Sequence, residues 1–108
     1  MCLGMINGCG NTKGKYIYII GDINTPESRK NFEITKHLLM GDGYTVLSYV
    51  DVINTLPELI YEGEMHIHYA LIDLCHEIFV MKGWENSDKS ILDFRYVVGM
   101  GKKIRYEK

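Results

Sequence analysis

The sequence has 108 residues, of which 46% are hydrophobic and 24% charged, and its formal net charge at pH 7 is -2. Length and composition are those of one globular domain with one core. The slight negative charge excludes a protein that binds the backbone of a nucleic-acid polymer, which needs a basic face. No apolar run approaches the ~20 residues that span a bilayer, so no membrane partner is expected.

The first 14 residues contain Cys2, Cys9, four glycines and a single charged side chain, Lys13. They lack the basic start and apolar stretch of a secretion signal, so we expect a flexible N-terminal leader before a single domain over residues 15–108. The third cysteine, Cys75, lies in an apolar segment and is expected in the core. Three cysteines without paired spacing predict no disulfide framework and favour a reducing, cytoplasmic location.

Short apolar segments alternate with longer amphipathic ones along the rest of the chain. We predict strands at 16–20, 44–48, 78–81 and 103–106, and helices at 26–40, 64–75 and 88–98. Thr25 is the expected N-cap of the first helix, with Pro26 at its first position. Residues 49–61 stay ambiguous, with one short helical turn open around Asn54. This alternation predicts an α/β fold with a parallel sheet.

Two predicted turns follow strand ends, where ligands bind in open parallel sheets. Gly21-Asp22 follows the first strand, and Gly83-Trp84-Glu85-Asn86-Ser87 follows the third. The free N–H groups of the next helix favour an anion or a polar ligand atom there. Trp84, the only Trp, is either a core residue or a stacking wall for a planar ligand. The chain has no G-x-G-x-x-G and no P-loop, which excludes a Rossmann dinucleotide site and an NTPase.

Asp93 lies six residues after Ser87, about one and a half turns into the last helix. Its side chain can lean back toward the helix N-terminus and the crevice. The alternative is a solvated carboxylate near Lys89 and Arg95. Tyr18, in the middle of the first strand, is expected in the core with a partner for its hydroxyl.

Histidines at three positions raise the question of a metal site. His66 and His68 would form a ligand pair only on a strand, because residues two apart on a helix do not face each other. With His76 further along, a zinc site would need a different fold. We therefore expect no metal.

These motifs together resemble one known family. The segments 17–21, 43–46, 75–79 and the Gly83-Trp84-Glu85-Asn86-Ser87 run, with Phe32 and Gly101, are similar to the nucleoside 2-deoxyribosyltransferase superfamily. The nearest pattern is that of a small, often phage-borne branch with a G-W-x-x-S turn, and the resemblance covers residues 16–106. It implies a flavodoxin-like three-layer sandwich with a four- or five-stranded parallel sheet, a homodimer or higher homo-oligomer, and no cofactor.

The resemblance also implies an activity. Members of the superfamily cleave the N-glycosidic bond of a 2′-deoxynucleoside or its 5′-monophosphate: a helix carboxylate attacks C1′, and a second base or water resolves the glycosyl-enzyme. Asp93 occupies the nucleophile position and Tyr18 that of the tyrosine orienting it. Gly21 matches the glycine of close backbone approach, and Ser87 matches the serine that holds the 5′ oxygen or phosphate. The remaining expected substrate-binding residues are Asp22, His68, Gly83, Trp84 and Asn86.

Several positions depart from the family pattern. Asp93 is one methylene shorter than the usual glutamate, and the Ser-x-Gly turn reads Ser87-Asp88-Lys89. His68 stands where an aspartate usually binds the sugar hydroxyl. The sequence therefore supports two main hypotheses: an N-glycosidase or transferase, in which Asp22 or His68 assists proton transfer, and a catalytically degenerate protein that sequesters or senses a nucleotide. The third is an oligomer with a vestigial crevice.

Overall fold

Strands and helices alternate along the chain as the apolar pattern predicts. The computed structural model describes residues 14–55 and 64–108. The side chains described are those of residues 14–52 and 64–108. In chain order the elements are β1 (Tyr16–Ile20), α1 (Pro26–Gly41), β2 (Thr45–Leu47), α2 (Tyr49–Thr55), α3 (Glu64–Leu74), β3 (Glu77–Val80), a 3₁₀ turn (Trp84–Asn86), α4 (Asp88–Met100) and β4 (Lys103–Tyr106).

All four strands form one parallel sheet in the order β2-β1-β3-β4. Ile17 of β1 pairs with Val46 of β2 on one side and with Glu77 of β3 on the other. The order confirms the flavodoxin-like fold, with four strands among the described residues. Since β1 and β3 are the inner strands, their near-continuous apolar runs are covered on both faces.

Alternation along β1 divides the core between the two faces of the sheet. Ile17 and Ile19 pack on the side of α1, with Phe32. Tyr18 and Ile20 pack on the other side, in the cluster that contains residues of α3 and α4. Tyr18 thus points toward the α3–α4 layer.

Side-chain caps fix the starts of the two long helices. Thr25 and Ser28 form a reciprocal capping box at α1, with Pro26 at the first helical position. Ser87 caps α4 by accepting from the Ser90 N–H at 3.2 Å, and Gly101 ends that helix at φ 70°.

Most predicted boundaries agree with the structure to within one or two residues. The predicted strand at 44–48 is shorter, and the ambiguous stretch begins with α2; the predicted turn around Asn54 extends beyond the described residues. The leader, with Cys2 and Cys9, lies outside them except for Gly14. Cys75 is confirmed as a core residue at 2% exposure, and burial raises the pKa of its thiol to about 12. Within 14–55 and 64–108, no helix is long and apolar enough to cross a bilayer.

Candidate functional site

A cavity of about 320 Å³ lies beyond the carboxyl end of β1, within the range of small-molecule sites. Its floor includes Tyr18, and Gly21 follows at the strand end. The helix α2, the start of α3 and the start of α4 form its walls. This is the position at which an open parallel sheet binds ligands.

Three buried polar side chains meet on the floor of the cavity. The Tyr18 hydroxyl donates to Asp93 Oδ2 at 3.1 Å, and His68 Nδ1 lies 2.9 Å from the same oxygen and 3.1 Å from Oδ1. Their exposures are 2% for Tyr18, 6% for His68 and 3% for Asp93. The predicted meeting of Tyr18 and Asp93 is confirmed, and the alternative of a solvated carboxylate at Asp93 is wrong.

Proton positions in this cluster follow from the short contacts. His68 Nδ1 lies 2.9 Å from Asp93 Oδ2 and 2.9 Å from the Tyr18 hydroxyl, so an imidazole with its proton on Nδ1 donates to the carboxylate. Burial, and then the charge of Asp93, raise the pKa of the Tyr18 hydroxyl well above its ordinary value. The phenol therefore stays protonated and donates to the carboxylate.

A second polar layer lies above the imidazole. The Tyr49 ring stacks on His68 with centroids 4.2 Å apart and 30° between the planes. Glu64 pairs with Lys89, and its Oε2 lies 3.8 Å from His68 Nε2, beyond hydrogen-bond distance. Among the described residues, neither Tyr49 Oη nor His68 Nε2 has a hydrogen-bond partner, although both atoms are buried.

The opposite wall is formed where β1 and α4 approach each other. The Gly21 carbonyl accepts from Ser90 Oγ at 3.0 Å, and a Cβ at Gly21 would lie 2.7 Å from Met81 Sδ. A larger residue at Gly21 would therefore displace the Met81 side chain, which follows β3. Asn86 and Ser87 complete the wall.

Three expected substrate-binding residues are not among the described residues that line the cavity. The Trp84 ring stacks on Phe94 with centroids 4.5 Å apart, against the core, because the 3₁₀ turn directs the indole onto α4. Gly83 adopts φ 83° and begins that turn. The Asp22 carboxylate accepts from the Asn24 N–H at 2.9 Å. The indole thus packs against the core, its role as a stacking wall stays a prediction, and Gly21, His68, Asn86 and Ser87 line the cavity beside the floor.

Tyr49 and Glu64 are among the cavity residues that were not singled out as ligand contacts from the sequence. Tyr49 follows β2 almost directly, so the rule that ligands bind beyond strand ends would have indicated it. Glu64 and Lys89 each lie in the first turn of a helix, and no sequence signal pairs them. His66 and His68 lie on a helix as expected, and no cluster of three potential metal ligands occurs among the described residues.

Fold and site define a flavodoxin-like α/β protein with a buried tyrosine–histidine–aspartate cluster at a strand-end cavity. The family described as Domain of unknown function (DUF4406) matches residues 15–106, so the chain belongs to that family. A comparison with curated proteins finds no match.

Proposed function

We propose that this protein cleaves the N-glycosidic bond of a nucleoside or nucleoside 5′-monophosphate through a carboxylate nucleophile, Asp93. The sequence resemblance supplies the expected sugar, 2-deoxyribose. The observation that supports the proposal most is the Asp93 carboxylate itself, 3% exposed and held by Tyr18 and His68 on the floor of a ligand-sized cavity.

The surroundings of the Asp93 carboxylate are suited to an oriented nucleophile that attacks a sugar carbon. Two donors occupy part of the carboxylate's roughly four lone-pair sites and fix its orientation, so a free lone pair remains to attack C1′. As the base leaves, the C1′–oxygen bond forms and the oxocarbenium-like charge is spread near a buried anion. Tyr18 and His68 act here as positioning residues.

The start of α4 supports binding of the 5′ end of the substrate. Ser87 lies at the helix N-terminus, where backbone N–H groups attract an anion. Lys89 adds a cation to the same cavity, whereas Asp88 opposes it. Comparing nucleosides with their monophosphates therefore tests which of the two charges dominates.

Nucleotide binding without turnover is the second candidate function. That hypothesis used Trp84 to stack on a base and Ser87 to hold a phosphate or ribose; Ser87 lines the cavity, whereas the indole packs on Phe94. The buried carboxylate cluster, in contrast, is of use in a reaction rather than in binding alone. An enzyme is therefore the better account of the site.

The test is incubation with the common ribo- and deoxynucleosides and their 5′-monophosphates, with free base measured by chromatography. We expect release by the wild type and a loss of about a thousandfold or more in Asp93→Asn. Glu85→Gln, which alters an exposed carboxylate in the preceding turn, should keep full activity. Absence of release from every substrate contradicts the proposal, and a ligand-induced rise in melting temperature without release supports the binding alternative.

A further inference from the structure

We propose that the preferred substrate is a nucleoside whose base carries a positive charge, such as a pyridinium or an N7-alkylated purine, and whose 5′ end carries no phosphate. This inference rests on the proposed function and adds to it the chemical class of the substrate. It follows from the charges that line the cavity and from the positions of the proton donors around Asp93.

Among the described residues, the charged side chains that line the cavity are mostly acidic. They are Glu64, Asp88 and Asp93, with Lys89 as the single cation. Three carboxylates against one lysine leave a formal charge of -2, and a protonated His68 would still leave -1. The cavity therefore attracts a cationic ligand and repels a phosphate.

The lysine of the lining is already paired. Lys89 Nζ forms an ion pair with Glu64 Oε2, so it is available to a phosphate only if that pair breaks. Arg29, just outside the lining, donates to the Ile23 carbonyl at 3.2 Å. Residues 53–63, whose side chains lie outside the described part, contain two glutamates and no basic residue. They add no positive charge to the balance.

The N-terminus of α4 is partly satisfied by groups of the chain itself. Ser87 Oγ accepts from the Ser90 N–H at 3.2 Å, and the Ser90 hydroxyl donates to the Gly21 carbonyl at 3.0 Å. Asp88 places a carboxylate in the same first turn, at the positive end of the helix dipole. A 5′-hydroxyl, which needs a hydrogen bond and no countercharge, suits this helix start better than a phosphate.

Cleavage of a neutral nucleoside needs a proton donor at the departing base, which otherwise leaves as an anion. Asp22 accepts from the Asn24 N–H and is not among the described residues that line the cavity. His68 contacts both Asp93 oxygens through Nδ1, which places it on the side of the nucleophile. The base departs from the opposite face of the sugar. Neither residue expected to assist proton transfer is therefore placed to protonate the base.

Tyr49 has a hydroxyl that can bind the substrate but does not act as an acid. Burial, and then the charge of Glu64, raise the pKa of this hydroxyl, so the phenol keeps its proton. Tyr49 Oη and His68 Nε2 are buried, and neither has a partner within the described part of the chain. Such atoms indicate a ligand that supplies the missing bonds. A sugar hydroxyl or a carboxamide can both donate and accept there.

A positive charge on the base removes the need for an acid. An Asp93 oxygen forms the bond to C1′, the bond from C1′ to the base nitrogen breaks, and its electron pair stays on that nitrogen. The carboxylate and the cationic base thereby become a neutral ester and a neutral free base, and no proton moves. With a neutral nucleoside the same step would leave an anionic base in the cavity, where burial makes an unpaired charge costly.

Matched pairs of nucleosides test the charge of the base. The pairs are 7-methylguanosine with guanosine and the same two bases on 2-deoxyribose, with nicotinamide riboside as a second kind of cation. Rates of base release are corrected for spontaneous hydrolysis. We expect kcat/KM for each cation to exceed that of its neutral partner by about a hundredfold or more. Guanosine 5′-monophosphate should be cleaved more slowly than guanosine, and Asp93→Asn should lose release from the cations.

Two variants change the charge of the cavity without altering Asp93. Glu64→Gln frees Lys89, and Asp88→Asn removes an exposed carboxylate. In Glu64→Gln we expect kcat/KM to fall by about three- to tenfold for the cations and to rise as much for the monophosphate. Asp88→Asn should give the same two directions with changes of about twofold. Glu85→Gln, outside the lining, is the control and should change neither value.

Other results overturn the inference in distinguishable ways. Equal cleavage of neutral and cationic partners contradicts the charge requirement and leaves the proposed function in place. A monophosphate that is cleaved faster than its nucleoside shows that the start of α4 binds a phosphate. A loss of the same sign for cations and monophosphate in both variants shows a structural effect rather than selection by charge. Absence of release from cationic and neutral nucleosides alike refutes the proposed function itself, and the inference with it.

Discussion

Asp93 and Tyr18 are 75 positions apart in the chain, and the hydrogen bond between them gives each buried polar group a partner. A carboxylate at 3% exposure needs donors, and a phenol in the middle of a buried strand needs an acceptor. His68 adds a second donor from α3. The Asp93 carboxylate is thus oriented by groups from two other elements.

Replacing Tyr18 by Phe tests the first of these donors. The ring keeps filling the core, while Asp93 loses one hydrogen bond and retains the bond from His68. We expect the free energy of unfolding to fall by about 1–3 kcal/mol, measured by urea denaturation, and base release to slow by about tenfold or more. Tyr16→Phe, on the partly exposed first residue of β1, is the control and should change neither.

Cys75 predicts a loss of stability at alkaline pH. Its thiol has a pKa raised to about 12 by burial, whereas the thiol of the unfolded chain titrates near the ordinary value of about 8.5. A raised pKa gives stability that is complete below the unfolded value and is lost progressively as pH rises toward 12. We expect urea midpoints to fall between pH 7 and about pH 10, with a smaller fall in Cys75→Ala. An equal fall in both proteins would contradict this assignment.

At the scale of elements, the apolar pattern was sufficient for the four strands and the three longer helices, whereas the helix α2 lies in the stretch that stayed ambiguous. The pattern left Asp93 either solvated or leaning toward the crevice, and the contact with Tyr18 was implied only by the family resemblance. The apolar pattern does not predict the direction in which a side chain points from a turn. Trp84 packs on Phe94 because of a 3₁₀ turn that the sequence does not specify.

The contact between the ends of β1 and β3 is sensitive to a single methyl group. A Cβ at Gly21 would lie 2.7 Å from Met81 Sδ and 3.3 Å from its Cγ. Gly21→Ala should therefore displace Met81 and destabilise the fold by about 1–3 kcal/mol. In the double variant with Met81→Ala, we expect a loss of stability smaller than the sum of the two single losses. Urea denaturation of the wild type, the two single variants and the double variant measures this. Additive losses would mean that the strand end moves instead of the side chain.

At the scale of the whole molecule, the two ends of the sheet differ in their polar groups. The cavity is at the carboxyl ends of the strands, and at the amino ends the buried Glu77 carboxylate accepts from the Tyr44 hydroxyl at 2.8 Å. Lys15 and Lys103 lie 3.8 and 3.9 Å from the same carboxylate. These residues precede or begin each of the four strands. The Glu77 carboxylate therefore connects the amino ends of all four strands.

Variants of Glu77 should therefore change the free energy of unfolding and leave the rate of base release unchanged. Both lysines are largely exposed and add little, so the main loss is the bond between Tyr44 and a charged acceptor. We expect Glu77→Ala to lower the free energy of unfolding by about 1.5–3 kcal/mol and Glu77→Gln, which keeps an acceptor, by less. Base release per folded molecule should equal that of the wild type in both, because the site lies at the opposite end of the sheet. A fall in that rate in the folded variants would show that the two ends are coupled.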